Sequence, residues 1–266
     1  MDFKVSADSE LSMSVTEGKA GEYTVPVTIA ANPLSQTRQL SVTFTNEEYN
    51  YTNTVSISQY PSGIAFQDDF SWLAPIIAAA TDDIGDSVGE KNANAGAPNV
   101  YSFSQKDAFA NAFAAQGYED MNPSLKVIYI QDQYLKFGKT GGNNTSLRIC
   151  APNLDGGEYT LSFDWCAQLQ GSGKVDDTKL VVIIEGEGQF ENGTKYSDDL
   201  VNTQSKGEMF WTNSSVKISG ANESTKLVIV MKRVLVTDES DKYTGAYNYK
   251  VGGAGRFYLD NIKIVK

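Results

Sequence analysis

The sequence predicts an all-β protein of two sandwich domains carrying one short helix, and three observations carry that expectation. Segments of period-two apolar alternation recur along the chain, as half-buried strands require. No strand–helix alternation of the kind that builds a parallel sheet appears. At 266 residues the chain also exceeds what one ordinary core needs. A hydrophobic content of 41% with 21% charged residues is enough to build a buried core, and no fixed-period repeat points to a solenoid.

The first strand legible in the chain starts at Tyr23, where Tyr23, Val25, Val27 and Ile29 share one face. Pro26 has no N–H to give to a ladder, which puts that strand at a sheet edge. Leu40, Val42 and Phe44 repeat the alternation, and Val55 and Ile57 begin a third copy. Residues 1–61 therefore read as a small antiparallel domain, closed by the stiff punctuation Tyr60-Pro61-Ser62-Gly63. A second domain over 64–266 begins irregularly, with a long loop expected between Thr81 and Asn99. Ser104 is placed to cap a helix over Lys106 to Ala115, Gly117 supplies a left-handed stop, and Phe109 and Phe113 form a packing stripe one turn apart. Eight strands follow, over 125–130, 133–138, 146–150, 159–169, 178–187, 215–219, 226–234 and 256–265, separated by Gly, Asn and Asp turns.

Composition excludes several functions. Lys plus Arg number 22 against 33 Asp plus Glu, a net charge of −11 that opposes nucleic acid and anionic lipid alike. The apolar run from Trp72 to Ala80 is half a bilayer span, so no membrane-spanning segment is expected. Met1-Asp2-Phe3-Lys4 has no signal core, so any export signal is expected outside this sequence. The chain has no histidine, which removes the commonest base for Ser or Cys nucleophiles and the commonest transition-metal ligand. Cys150 and Cys166 fit neither a zinc knuckle nor a redox pair, leaving two core thiols or one disulfide.

Tyr23 to Ala30, then Ala31-Asn32-Pro33 leading to Arg38, the strand Gln39 to Thr45 and the closing Thr54-Val55-Ser56-Ile57-Ser58-Gln59 resemble the later part of a BACON domain. That family is an immunoglobulin-like module associated with carbohydrate binding in Bacteroidetes and often used as a spacer. Its opening strands have no legible counterpart before Tyr23. From Tyr134-Leu135-Lys136-Phe137-Gly138 through Ser146-Leu147-Arg148-Ile149 and Gly157 to Trp165, to the closing Arg256 to Ile264, the second domain resembles carbohydrate-binding modules. The resemblance implies a galactose-binding-like jelly-roll β-sandwich. Phe66 to Trp72 and the helix before Gly117-Tyr118 are similar to surface proteins of gut Bacteroidetes.

The resemblance implies a structural calcium, with Asp260 as a closing-strand ligand and Asp68 or Asp69 as opening-strand ligands. It also implies a polysaccharide or oligosaccharide partner, for which flat aromatic faces and neighbouring polar groups are needed. Tyr243, Tyr247 and Tyr249, set among Asp, Asn, Lys and Gly, are the candidate surface, with Trp211 as a second, although Tyr at period two is also an ordinary hairpin. Trp72 and Trp165 read as core residues. For a glycoside hydrolase, two carboxylates must face each other across a sugar bond. Glu185 and Glu187 share a strand face and Asp82, Asp83 and Asp86 share a loop, but neither group spans a substrate. The expectation is an exported, non-catalytic glycan-binding accessory protein of the cell surface or periplasm, lipid-anchored as a lipoprotein. The alternatives are a structural or adhesive protein touching neighbouring surface proteins and, third, a glycoside hydrolase.

Overall fold

A computed structural model of the chain describes residues 2–84, 98–139, 145–202, 211–232 and 255–266, apart from positions 20, 23, 35, 151, 171 and 177. The chain divides into two compact units, Met1–Ile64 and Ala65–Lys266.

The first unit contains β1 (Asp2–Ala7), β2 (Leu11–Met13), β3 (Glu17–Lys19), β4 (Val27–Ile29), β5 (Arg38–Asn46) and β6 (Tyr51–Gln59). One sheet runs β3-β1-β5-β6, and β2 and β4 form a separate pair. Val5, Leu11, Leu40 and Val42 make its small core, with Phe3, Met13, Ile29, Phe44 and Ile57 packed alongside. The strand expected from Tyr23 begins only at Val27, because Pro26 interrupts the ladder donors; Tyr23 itself lies outside the described residues. Three strands precede it that the alternation did not reveal, since β1 offers only Phe3 and Val5 as apolar signal and β2 and β3 are three residues each. β5 and β6 form a hairpin in register from Arg38 opposite Gln59 to Asn46 opposite Tyr51. Its turn uses Asn50 at φ 49° and an Asn46 side chain that accepts from Tyr49 N–H.

The second unit opens with β7 (Ile64–Asp68), α1 (Leu73–Ala78), α2 (Lys106–Ala115), β8 (Tyr118–Asp120), β9 (Ile128–Gln131), β10 (Tyr134–Phe137) and β11 (Leu147–Ile149). It continues through β12 (Glu158–Ala167), β13 (Lys179–Glu185), β14 (Gln189–Phe190), β15 (Leu200–Val201), β16 (Thr212–Ser219), β17 (Lys226–Lys232) and β18 (Phe257–Val265). These strands form a two-sheet antiparallel jelly-roll sandwich. The larger sheet runs β14-β16-β12-β18-β10-β9 with β7 beside β18, and the smaller runs β15-β13-β17-β11-β8.

Alternation places the core between the sheets. Leu161, Phe163, Trp165, Leu135, Phe137, Phe257 and Leu259 of the larger sheet join Leu180, Val182, Ile184, Leu227, Ile229, Leu147 and Ile149 of the smaller in one buried cluster. Burying each such side chain contributes about 1.5–3 kcal/mol. Phe137 and Phe257, opposite each other on neighbouring strands, stack with centroids 5.1 Å apart. Trp165 is fully buried and donates from Nε1 to Ser214 Oγ at 2.9 Å, while Trp72 is half-buried against the same core.

Helix α2 forms where expected, with Phe109 and Phe113 buried and Gly117 stopping it at φ 76°. Its cap differs. Gln105 holds the cap position without a side-chain bond, because Ser104 is occupied: its Oγ accepts from Thr81 N–H and its own N–H donates to Asp82 Oδ2. Helix α1 was not legible, being six residues with a proline inside its first turn. The cysteines are both free: Cys150 follows β11 in one sheet and Cys166 lies in β12 of the other. Among the described residues no helix is long and apolar enough to cross a membrane.

Candidate functional site

The larger sheet has an outward face, and strand register writes its composition. Residues of β12 that do not enter the core are Thr160, Ser162, Asp164 and Cys166; those of β10 are Tyr134 and Lys136; those of β9 are Tyr129 and Gln131. Across the strands, Tyr129 pairs with Lys136, Lys136 with Tyr258 and Tyr258 with Cys166, giving one row rich in aromatic rings. The adjacent row is polar, with Gln131 opposite Tyr134 in β10, Asp260 opposite Asp164, and Asp164 opposite Asn213.

Aromatic packing stiffens the first row. Tyr134 meets Tyr258 edge-on at 5.9 Å and Trp211 edge-on at 5.3 Å. Lys136 Nζ lies 4.1 Å from the centroid of the Tyr129 ring. Tyr258 is fully buried and donates to Gln168 Oε1 at 2.7 Å, so burial holds its phenol well above the usual range. Tyr129 and Trp211 remain half-buried, each keeping part of its surface in solvent.

A short hairpin supplies the border. Leu169 bridges Val175, and Gln170 accepts from Gly173 N–H while its own N–H donates to Lys174 O, which closes a tight turn. Asp176 on the returning arm is buried and receives Arg256 twice over, Nε at 2.8 Å to Oδ2 and Nη2 at 3.0 Å to Oδ1, as well as Arg256 N–H and Gln170 Nε2. That forked pair neutralises Arg256.

The polar row is acidic. Asp164 accepts amide donors from Asn213 and Asn261 at 2.8 and 2.9 Å. Asp260 takes Asn261 N–H, but burial, Asp164, Asp69 and Asp68 together push its carboxyl up to about 6.

The residues expected to hold calcium are neighbours, since β7 runs beside β18 and both Asp68 and Asp69 act on the carboxyl of Asp260. Asp68 is buried and accepts from Phe70 N–H at 2.7 Å, Tyr118 O–H at 2.7 Å and Trp72 Nε1–H at 3.1 Å, with burial raising its carboxyl above the usual range. It thereby pins Phe70, fully buried at φ 55°, a conformation a bulky residue adopts only under such constraint. Asp69 caps Ser71 N–H. Asp68 is committed to three protein donors, whereas Asp69 and Asp260 accept the backbone N–H of Ser71 and Asn261 through one oxygen each. Among the described residues no group of three or more His, Cys, Asp or Glu stands together as a metal site.

Of the expected sugar-facing residues, Tyr243, Tyr247 and Tyr249 lie outside the described residues, as does Asp86. Trp211 stands on the face, against Tyr134. The reading from sequence missed Tyr129, Tyr134, Lys136 and Tyr258. Their signal was available in the outward positions of Tyr134-Leu135-Lys136-Phe137 and Arg256-Phe257-Tyr258-Leu259, but it required the cross-strand register. Of the carboxylates weighed for hydrolysis, Glu185 is held by Arg148 at 2.9 Å, Asp82 accepts from Ser104, and Glu187 is exposed. In the first unit an open cleft of about 510 Å³ is lined by Asp8, Glu10, Leu34 and Arg38 among others, without an aromatic ring. Exposed rings there are Tyr49 and Tyr51, beside the β5–β6 turn.

The ladder of β2 to β6 coincides with the one stretch for which a family model is found. Residues 7–60 match the model described as "BACON: Putative binding domain, N-terminal". The match thus starts at the last residue of β1 and takes in β2 and β3, ahead of Tyr23. No curated protein matches the chain. Among solved structures, the chain is 15% identical to the C-terminal CBM6 of LamC, a laminarinase from Zobellia galactanivorans, covering 50% of this chain and 80% of that one at a TM-score of 0.27. It is 15% identical to the CBM22-1 xylan-binding domain of Paenibacillus barcinonensis Xyn10C, covering 56% and 85% at 0.31. It is 12% identical to Bacteroides uniformis beta-glucuronidase 2, covering 100% and 26% at 0.26. TM-scores of this size establish no shared fold.

Proposed function

We propose that the chain is a non-catalytic glycan-binding protein whose site is the outward face of the larger sheet of the second unit. The observation that carries this reading is the pairing of two rows on that face. One presents half-buried Tyr129 and Trp211 over the buried Lys136 and Tyr258, the other Asp260, Asp164 and Asn213. Half-open aromatic rings suit the apolar C–H face of a pyranose, and amide and carboxylate groups one strand repeat away suit its hydroxyls. Catalysis is not part of the reading. Glu119 and Glu185 share Arg148, Asp176 is locked to Arg256, and the sequence has no histidine to act in their place.

The BACON segment is read as a spacer that presents the second unit, and the protein as an exported one of the cell surface or periplasm. The test is a glycan-array screen followed by calorimetric titration of the best oligosaccharide. The reading expects weak binding, because a shallow site recovers little beyond the cost of immobilising a flexible glycan. It also expects Tyr129→Ala to weaken that binding about ten- to a hundredfold in a domain that remains folded. Absence of binding to any glycan would end the reading.

A further inference from the structure

Lys136 is the outlier of the aromatic row. It is 4% exposed, on a strand whose four residues are all buried, with Tyr129 opposite on one side and Tyr258 on the other. Among the described residues its ammonium has the Tyr129 ring as its neighbour and no hydrogen-bond or ion-pair partner. The nearest opposite charge, Asp176, is already spent on Arg256. Packing alone does not require an ammonium here, since an unbranched apolar side chain would fill the same space without the desolvation cost. The face therefore carries a buried cation with no hydrogen-bond or ion-pair partner among the described residues, unlike the exposed Lys263 and the Lys217–Glu191 pair farther along the same sheet.

We infer that Lys136 recognises the carboxylate of an acidic sugar, so that the ligands of this face are glycans containing uronic acid residues. The inference rests on the proposed glycan site and names its ligand class. Half-buried Tyr129 beside Lys136 is placed for the ring that bears the carboxylate, with the fully buried Tyr258 backing the ammonium from the other side. Asp164 and Asp260 stand in the neighbouring row, where they face hydroxyl donors and repel a second carboxylate, which sets the orientation of the sugar.

Burial and the nearby Arg256 bring the Lys136 amine down to about 7, partly opposed by Asp176. The other titratable side chains facing it are the phenols of Tyr129, Tyr134 and Tyr258 and the thiol of Cys166, with Asp260 in the adjacent row. Tyr258 and Cys166 are held protonated by burial, so Lys136 is the group of this row that changes charge near neutral pH, with Asp260 in the adjacent row changing at about 6. An anionic ligand binds its protonated form, and affinity should fall as pH rises above about 7, approaching tenfold per pH unit.

The experiment titrates the full chain with oligogalacturonate and oligoglucuronate and with their carboxyl-reduced neutral counterparts, at pH 6 and pH 8.5. The expected result is at least tenfold tighter binding of an acidic form at pH 6, loss of most of that advantage at pH 8.5, and loss of it at both pH values in Lys136→Met. Lys136→Gln, tested in parallel with thermal melts, guards against misfolding of one variant. Equal binding of acidic and neutral forms, or an acidic preference that survives in both folded variants, overturns the inference and leaves the glycan site standing. Failure of wild-type protein to bind any glycan, acidic or neutral, overturns both.

Discussion

Replacing Lys136 by methionine should make the protein more stable. A lysine whose amine falls from its ordinary 10.5 to about 7 on folding carries a penalty on its charged form, and one pH unit is worth about 1.4 kcal/mol. At pH 7 that penalty is about 4 kcal/mol, the lysine being half neutral there. Methionine keeps the unbranched stem among Tyr129, Tyr134 and Tyr258 but loses the cation–π contact, worth about 1–2 kcal/mol. The net expectation is a gain of about 2–3 kcal/mol at pH 7.

The pH dependence distinguishes this from better packing. Between pH 7 and 10 the unfolded lysine holds a proton that the folded one has lost, so wild-type stability rises with pH over that window while the variant, lacking the group, does not share the rise. The advantage of Lys136→Met should be largest at pH 7 and below and should close as pH approaches 10. Urea denaturation of both proteins at pH 6, 7, 8.5 and 9.5 measures it. A variant no more stable than wild type at pH 7, or a difference that stays constant from pH 7 to 9.5, would refute the reasoning.

Asp68→Ala should cost about 3–5 kcal/mol, because it leaves Tyr118 O–H, Trp72 Nε1–H and Phe70 N–H without their shared acceptor; a melt within a degree of wild type would contradict it. Asp260→Asn should stabilise by about 1 kcal/mol, screened by the group's partial exposure, at pH 7. The carboxyl sits at about 6 in the folded chain against 3.8 ordinarily, so it costs stability as pH rises from about 4 to 6, and the variant's advantage should vanish near pH 4. Calcium and chelator should each leave the melting temperature unchanged, given the commitment of Asp68 to protein donors. A calcium-dependent rise that Asp260→Asn abolishes would restore the ion.

How far the sequence carried the structure can be seen in particular residues. Tyr159, Leu161, Phe163 and Trp165 alternate so regularly that β12 could be drawn with its inner face correct. Phe109 and Phe113 marked α2 by their spacing, and Gly117 its end. Elements of two to six residues, among them β1 to β3, β7, β8, β14, β15 and α1, are too short for a period to show and are fixed by the ladders and core around them. The site followed a similar division. Trp211 was legible as a candidate ring, but Lys136 between Tyr129 and Tyr258 is a relation of the β9–β10 hairpin to β18, which is far from both in sequence. Asp68 reads as a calcium ligand from the family resemblance; that Phe70, Trp72 and Tyr118 would bring three donors to it and bury it is a tertiary relation that the sequence pattern does not display.

The central claim is that the outward face of the larger sheet binds glycan through its half-open rings. Calorimetric titration of a screened oligosaccharide into wild type, Tyr129→Ala and the double variant Tyr49→Ala/Tyr51→Ala tests it most directly. Tyr129 lies on that face, and Tyr49 and Tyr51 are the exposed rings among the described residues of the first unit. The account predicts a ten- to a hundredfold loss, about 1–3 kcal/mol, for Tyr129→Ala in a domain that stays folded and loses no more stability than the Lys136 contact supplies, and full affinity for the double variant. Full affinity for Tyr129→Ala together with loss in the double variant would move the site to the BACON segment and contradict the account.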